Sequence, residues 1–328
     1  MGPQRRYSAA MRLFTKSLLL LLAGLVFFFV AGLVAVWAPD KPVSALAALW
    51  AQPPSLFLPV DGMQVHLRDE GPRDDPTPIV LLHGTADSLH TWDGWSAALR
   101  TQRRVIRFDL PGFGLTGPHP HADYSIDADV RFVLAVLDRL GVQGFVLGGN
   151  SLGGQIAWQT AIAQPQRVRQ LVLVDAAGYA SQPKSMPLGF RLARSGTAAV
   201  LLEWILPRGL VLSSLRNVVG DPTIVTSELV DRFSDMAVRA GNRRALAQRL
   251  RLVNVDQSER IRRLHLPTLV LWGGRDRLIT VESGQRFAHD IAGARLVVWP
   301  ELGHLPQLED PARTVAEVQR FLGIMPSR

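Results

Sequence analysis

Ser151 stands in "GNSLGG", with Gly149 two positions before it and Gly153 two after. Glycine has no Cβ, so this spacing lets the chain turn sharply past a serine and hold φ/ψ values that other residues resist. The turn lies between "GFVLGG" and "LGGQIAWQTAIAQ", which read as a short buried strand and a helix. A G-x-S-x-G turn between strand and helix is the setting in which a serine becomes a nucleophile; the competing reading is an idle serine in a glycine-rich turn. A serine hydroxyl is a weak nucleophile and needs a histidine to take its proton and a carboxylate to orient that histidine. Asp276 in "LWGGRDRLIT" follows one apolar run, and His304 in "VVWPELGHLPQ" follows the next. Both fall in loops at strand ends, on the side where Ser151 lies. Asp276 also fits a turn aspartate, and Asp175, closing "QLVLVD", is a rival acid. Of the eight histidines only His304 follows the last apolar run.

The elements that must position these residues alternate along the chain. "LFLPV" and "QVHLRDEG" predict a leading antiparallel pair joined at Asp61–Gly62. "PIVLLHG", "RVIRFDLPG", "GFVLGGN", "QLVLVDAAG", "TLVLWGG" and "ARLVVWPE" are short and rich in leucine and β-branched residues. Amphipathic stretches such as "SIDADVRFVLAVLDRLG" lie between several of them. Continuous apolar strands alternating with helices predict an α/β fold, a mostly parallel twisted sheet with helices on both faces. Ligands of such sheets bind beyond the carboxyl ends of the strands. One interval breaks the rhythm. Gly178 to Arg263 shows several helical patterns and no clear strand, too long for a loop, so it predicts a helical cap inserted after the sixth strand.

The motifs "LLHGT", "DLPGFG", "GNSLGG", "GGRD" and "GH" occur in one order, and with Ser, Asp and His in that sequence the chain resembles the α/β-hydrolase superfamily over residues 55–322. The resemblance implies a Ser151–His304–Asp276 triad; some lipases of the superfamily draw their acid from the position of Asp175. An oxyanion needs two donors. One is expected from the N–H of Leu152 at a helix N-terminus, and the resemblance places the other at Thr85, with His83 and Asp109 structural. Serine at 151 excludes the aspartate-nucleophile dehalogenases and epoxide hydrolases. The expected activity is hydrolysis of carboxylic esters, of the esterase or monoacylglycerol-lipase kind. Asn150 before the serine also occurs in hydrolases that cleave carbon–carbon bonds of ring-fission products, but those carry a tryptophan after the histidine and a more glycine-rich oxyanion loop. Here Leu305 and "HGTADS" stand instead. Cofactor-free haloperoxidases, or perhydrolases, share the triad, and a small-molecule receptor is the non-enzymatic alternative.

The chain of 328 residues carries a net charge of +8 and no cysteine, which excludes disulfides, thiolate metal sites and a cysteine nucleophile. The histidines lack carboxylates at ligand spacing and no dinucleotide or Walker signature occurs, so no metal and no cofactor are expected. Leu18 to Trp37 contains no charged residue, while Arg5, Arg6, Arg12 and Lys16 precede it. About twenty residues span a bilayer core of roughly 30 Å. The positive-inside rule then predicts a basic cytoplasmic N-terminus (1–17), a membrane anchor (18–37) and a spacer (38–54), with the catalytic parts (55–177 and 264–328) on the periplasmic side. A signal peptide cut near "ALA" at 45–47 is the competing reading. The cap, 178–263, holds fourteen basic and seven acidic residues. Scattered arginines without an RNA-binding motif read as a solvated face, so nucleic acid is not an expected partner. In "AAVLLEWIL" the residues Leu201, Leu202, Trp204 and Ile205 are expected to wall an acyl pocket for a small-molecule ester, with the cap close to the bilayer.

Overall fold

A computed structural model of the protein describes residues 3–180, 183–252 and 258–324. Eight strands form one sheet: β1 (Ser55–Val60), β2 (Met63–Glu70), β3 (Ile79–Leu82), β4 (Val105–Phe108), β5 (Phe145–Asn150), β6 (Val168–Val174), β7 (Thr268–Gly273) and β8 (Arg295–Trp299), in the order β1-β2-β4-β3-β5-β6-β7-β8. Only the β1–β2 and β2–β4 pairings are antiparallel. Asp61 and Gly62 both have positive φ, at 47° and 79°, the geometry of the type I′ turn that closes a two-residue hairpin.

The central strands are apolar throughout because both faces are covered. Val80, Leu82, Leu147, Leu173 and Val270 join Trp158 and Phe287 in one core. Their chain neighbours Ile79, Leu81, Val146, Val172, Leu269 and Leu271 join Trp92, Trp95 and Val315 in a second core on the opposite face. The period of two sends alternate residues to opposite sides, and helices such as Leu152–Ala163 on one face and Pro311–Leu322 on the other bury them. Between β6 and β7 the described residues hold helices and no strand: Leu188–Arg194, Gly196–Leu202, Arg208–Val218, Ser227–Val238, Asn242–Leu250 and Ser258–Ile261. This is the predicted insertion. A buried ion pair, Arg249 Nη1 to Asp129 Oδ2 at 2.5 Å, fastens it to the sheet domain.

The N-terminal helix runs Pro3–Val36, and its segment Phe14–Val36 is long and apolar enough to cross a membrane. Beyond that helix the chain is not the expected spacer. Residues Val43–Trp50 form a helix whose Leu46 is buried against Leu115 and Met236. Asp235 accepts hydrogen bonds from Lys41 Nζ at 2.9 Å and Trp50 Nε1 at 3.0 Å. Lys41 N–H donates to Val238 O, and Lys41 O accepts from Ala240 N–H. The segment is docked, because its apolar side completes a small core with residues far along the chain.

Candidate active site

Ser151 follows β5 directly and has φ 54° and ψ −117°. Positive φ is costly for a residue with a side chain and persists only where the surroundings enforce it. Here they do. A Cβ on Gly149 would stand 2.2 Å from Gly153 O, and one on Gly153 would stand 2.2 Å from Leu82 O. The two glycines let β5, the next helix and the end of β3 close around the serine. Leu152 opens the helix Leu152–Ala163, whose N-terminal N–H groups and dipole favour negative charge.

Asp276 lies beyond β7 and His304 beyond β8. His304 Nδ1 is 2.6 Å from Asp276 Oδ2, and both residues are buried. Asp276 Oδ1 accepts from the N–H groups of Leu278 at 2.7 Å and Ile279 at 3.0 Å, so the carboxylate is held at both oxygens. The histidine loop is fixed from three sides. Asn150 Nδ2 donates to His304 O at 3.0 Å and to Val174 O at 3.1 Å. The Glu309 carboxylate accepts from Gly220, Gly303 and Leu305 N–H groups. His304 N–H donates to Val218 O at the end of a cap helix, at 2.7 Å.

Asp175 takes φ 43° at the end of β6, and one oxygen accepts from Gly273 N–H at 3.1 Å. Among the described residues, Asp175, Asp276 and His304 form the one cluster whose ligand atoms lie within 4.8 Å of one another. Burial, then the Asp276 carboxylate beside it, push the Asp175 carboxyl well above the ordinary carboxylate range, toward the neutral acid. His304 Nδ1 pairs with Asp276 across a hydrogen-bond distance, a separation that suits a shared proton and not two ligands on opposite sides of a cation. His83 and Asp109 are fully buried and held by backbone groups and, for Asp109, by the His66 imidazole as well. His83 Nε2 accepts from Leu110 N–H. Asp109 accepts from Leu89 and Leu115 N–H groups and pairs with His66 Nδ1 at 2.7 Å.

Ser151, His304, Leu152 and Thr85 line one cavity of about 660 Å³, roofed by the cap. That volume falls in the range of small-molecule sites, and Phe190, Leu206, Leu210, Val211 and Phe233 make most of the roof apolar. Leu202 lines it as expected, but Leu201, Trp204 and Ile205 do not. In the helix Gly196–Leu202, Ala199 and Leu202 share the inward face three residues apart, leaving Leu201 61% exposed. The helix ends at Leu202, and the chain beyond turns toward the anchor: Trp204 stacks on Trp37 at 5.7 Å, and Ile205 bridges to Trp37.

Two lining residues carried no signal in the sequence. Asp87 is buried with Oδ2 lacking a partner, and burial raises its carboxyl above the ordinary range. Arg243 gives Nη2 to Asp40 Oδ1 at 2.6 Å while its Nε and Nη1 remain buried without a partner.

This is the architecture of a hydrolase of the α/β class, and residues 77–311 match the family described as alpha/beta hydrolase fold. The chain belongs to that family. It is 32% identical over 273 residues to a 2-hydroxymuconate semialdehyde hydrolase of Pseudomonas sp. (strain CF600), covering 80% of this chain and 91% of that one. A solved meta-cleavage product hydrolase from Pseudomonas fluorescens IP01 is 26% identical with a TM-score of 0.70, over 82% of this chain and 97% of that one. A solved membrane phospholipase A is 25% identical with a TM-score of 0.69, over 95% of this chain and 97% of that one. The carbon–carbon class, disfavoured on Leu305 and "HGTADS", thus returns through relatives that share most of the chain's length.

Proposed function

We propose that the protein hydrolyses carboxylic esters of apolar acids. The observation that carries this reading is the placement of Ser151 and His304 in a largely apolar cavity, with Asp276 holding the imidazole from behind. Ser151 Oγ attacks the ester carbonyl while His304 Nε2 takes its proton, and the Asp276 carboxylate stabilises the imidazolium. The N–H groups of Leu152 and Thr85 receive the oxyanion, an arrangement in which one donor contributes about 2.7–4 kcal/mol in a comparable hydrolase. His304 returns the proton to the departing alcohol, and water then releases the acid from Ser151. The likeness to a membrane phospholipase A, which extends over 95% of this chain, supports an amphiphilic ester.

The N-terminal helix then acts as a retained anchor, with the catalytic part on the non-cytoplasmic side. The four basic residues ahead of the apolar run support that orientation. Cleavage near residues 45–47 would cut the docked helix Val43–Trp50 and remove Lys41 from Asp235; this supports retention.

A second reading, hydrolysis of a carbon–carbon bond in an acidic ring-fission product, is favoured by the likeness to the 2-hydroxymuconate semialdehyde hydrolase and the meta-cleavage product hydrolase, and by Arg243, whose unpartnered nitrogens at the cavity suit a substrate carboxylate. The test is kcat/KM over a series of 4-nitrophenyl and glyceryl esters beside a dienoic ring-fission acid. Ester turnover that climbs with acyl length supports the first reading, since each buried CH₂ contributes about 0.8 kcal/mol. Preference for the acid, lost in Arg243→Leu, establishes the second.

A further inference from the structure

The anchor's end is hydrogen-bonded to the cap. Val36 O accepts from Leu206 N–H at 3.0 Å, and Ala38 N–H donates to Trp204 O at 2.9 Å. Residues 204–206 therefore lie one backbone hydrogen bond from the point where the helix Phe14–Val36 ends. That apolar segment of 23 residues is about 34 Å long, enough to cross a core of roughly 30 Å. If its last turn reaches the bilayer surface, the cap chain paired with it lies at the same depth, whatever the tilt.

The side chains around that point are apolar and uncovered. Trp37 and Trp204 are each 54% exposed, Val200 58% and Leu201 61%. A contiguous apolar face on a folded domain marks a contact surface, and tryptophan favours the boundary between headgroups and acyl chains. On the other side of the same short helix, Ala199 and Leu202 line the cavity that holds Ser151. One helix therefore separates the catalytic cavity from this outer face.

We propose that Trp37, Val200, Leu201 and Trp204 form a seat in the lipid interface, so that the anchor presses the cavity roof onto the bilayer and the ester enters from the lipid phase. The proposal rests on the retained-anchor reading. It goes beyond it by assigning a partner, the bilayer surface, to a face of the cap. The occupant is lipid because the backbone pairing brings this face to the end of the membrane helix, and the cap's excess of basic over acidic residues suits anionic headgroups.

The chain has no cysteine, so single labels can be placed without background. Phe27→Cys, Leu201→Cys and Ala292→Cys are spin-labelled in the full chain in phosphatidylethanolamine/phosphatidylglycerol nanodiscs. Relaxation is read with oxygen, which concentrates in lipid, and with a water-soluble nickel chelate. Phe27 lies in the membrane helix, and Ala292 is an exposed residue at the opposite end of the strands. The expected result is oxygen-dominated relaxation at positions 27 and 201 and nickel-dominated relaxation at 292. Lipid exposure at 27 with nickel-dominated relaxation at 201 overturns the seat while leaving the anchor intact. A label at 201 shielded from both reagents means a second protein surface covers the face and also overturns it. Water exposure at 27 removes the anchor reading, and the seat with it. Leu201→Glu gives a functional readout as a ratio, the rate on a long-chain ester held in the bilayer over the rate on a short soluble ester. The ratio is expected to fall severalfold, and an unchanged ratio overturns entry from the lipid phase.

Discussion

Replacing Asp276 by asparagine tests the proposed hydrogen-bond chain by reversing one proton. Oδ1 of Asp276 accepts from two backbone N–H groups, Leu278 at 2.7 Å and Ile279 at 3.0 Å. Those donors cannot turn away, so an asparagine must keep its carbonyl oxygen toward them and aim its NH₂ at His304 Nδ1. That nitrogen, now 2.6 Å from a carboxylate oxygen, must then accept a hydrogen bond instead of donating one. The imidazole carries its proton on Nε2, where it cannot take a proton from Ser151. The same substitution in a serine protease triad lowers kcat about 10⁴-fold, and a loss of that size corresponds to about 5 kcal/mol of transition-state stabilisation. Initial rates on a 4-nitrophenyl ester for the wild type, Asp276→Asn and Asp175→Asn measure it, with circular dichroism confirming the fold. Asp175→Asn replaces a carboxyl already pushed toward its neutral form and is expected to cost less than about tenfold. A small loss in Asp276→Asn with a dead Asp175→Asn refutes the assignment of the acid.

Gly153→Ala puts a methyl group 2.2 Å from Leu82 O; with backbone on both sides unable to yield, the apparent Tm should drop by more than an ordinary overpacking cost of about 1–3 kcal/mol implies, and an unchanged Tm contradicts the close approach. Leu202→Phe, which enlarges a side chain lining the cavity, should move the acyl-length optimum to shorter chains, whereas Trp204→Ala should leave it in place; chain-length profiles of both variants decide. Burial lowers His90 to about 4. The unfolded chain therefore takes up this proton below about pH 6.5 while the folded protein does not until about 4. The difference removes about 3 kcal/mol of stability as the pH falls through that window. His90→Gln should flatten denaturant-measured stability there, and a parallel decline in both proteins contradicts the buried neutral imidazole.

The sheet and the position of the cap were legible because continuous apolar strands and helical stretches leave different periods in the sequence. Ser151, Asp276 and His304 were placed at strand ends for the same reason, and the structure brings Ser151 and His304 to one cavity with Asp276 hydrogen-bonded to the imidazole behind it. The cap's inner face was not legible. "AAVLLEWIL" is apolar on every side, so its composition cannot tell Leu202, which faces the cavity, from Leu201, which faces out; nor does it reveal that the helix stops at Leu202 and sends Trp204 and Ile205 to Trp37. The segment after the anchor looked like a spacer because its partners, Leu115, Asp235 and Met236, lie far along the chain. Arg243 and Asp87 acquire meaning only from individual buried atoms left without a partner, Nε and Nη1 of the one and Oδ2 of the other, which no local pattern encodes.

The central claim is that Ser151 forms an acyl-enzyme. Rapid acid quench of the full-length protein with a medium-chain 4-nitrophenyl ester, followed by intact mass and peptide mapping, observes that species directly. The account predicts a burst of 4-nitrophenol of about one equivalent, wherever deacylation is the slower step, an added acyl mass located on Ser151, and loss of both in Ser151→Ala. Turnover that persists in Ser151→Ala, or an acyl group mapped to another residue, contradicts it.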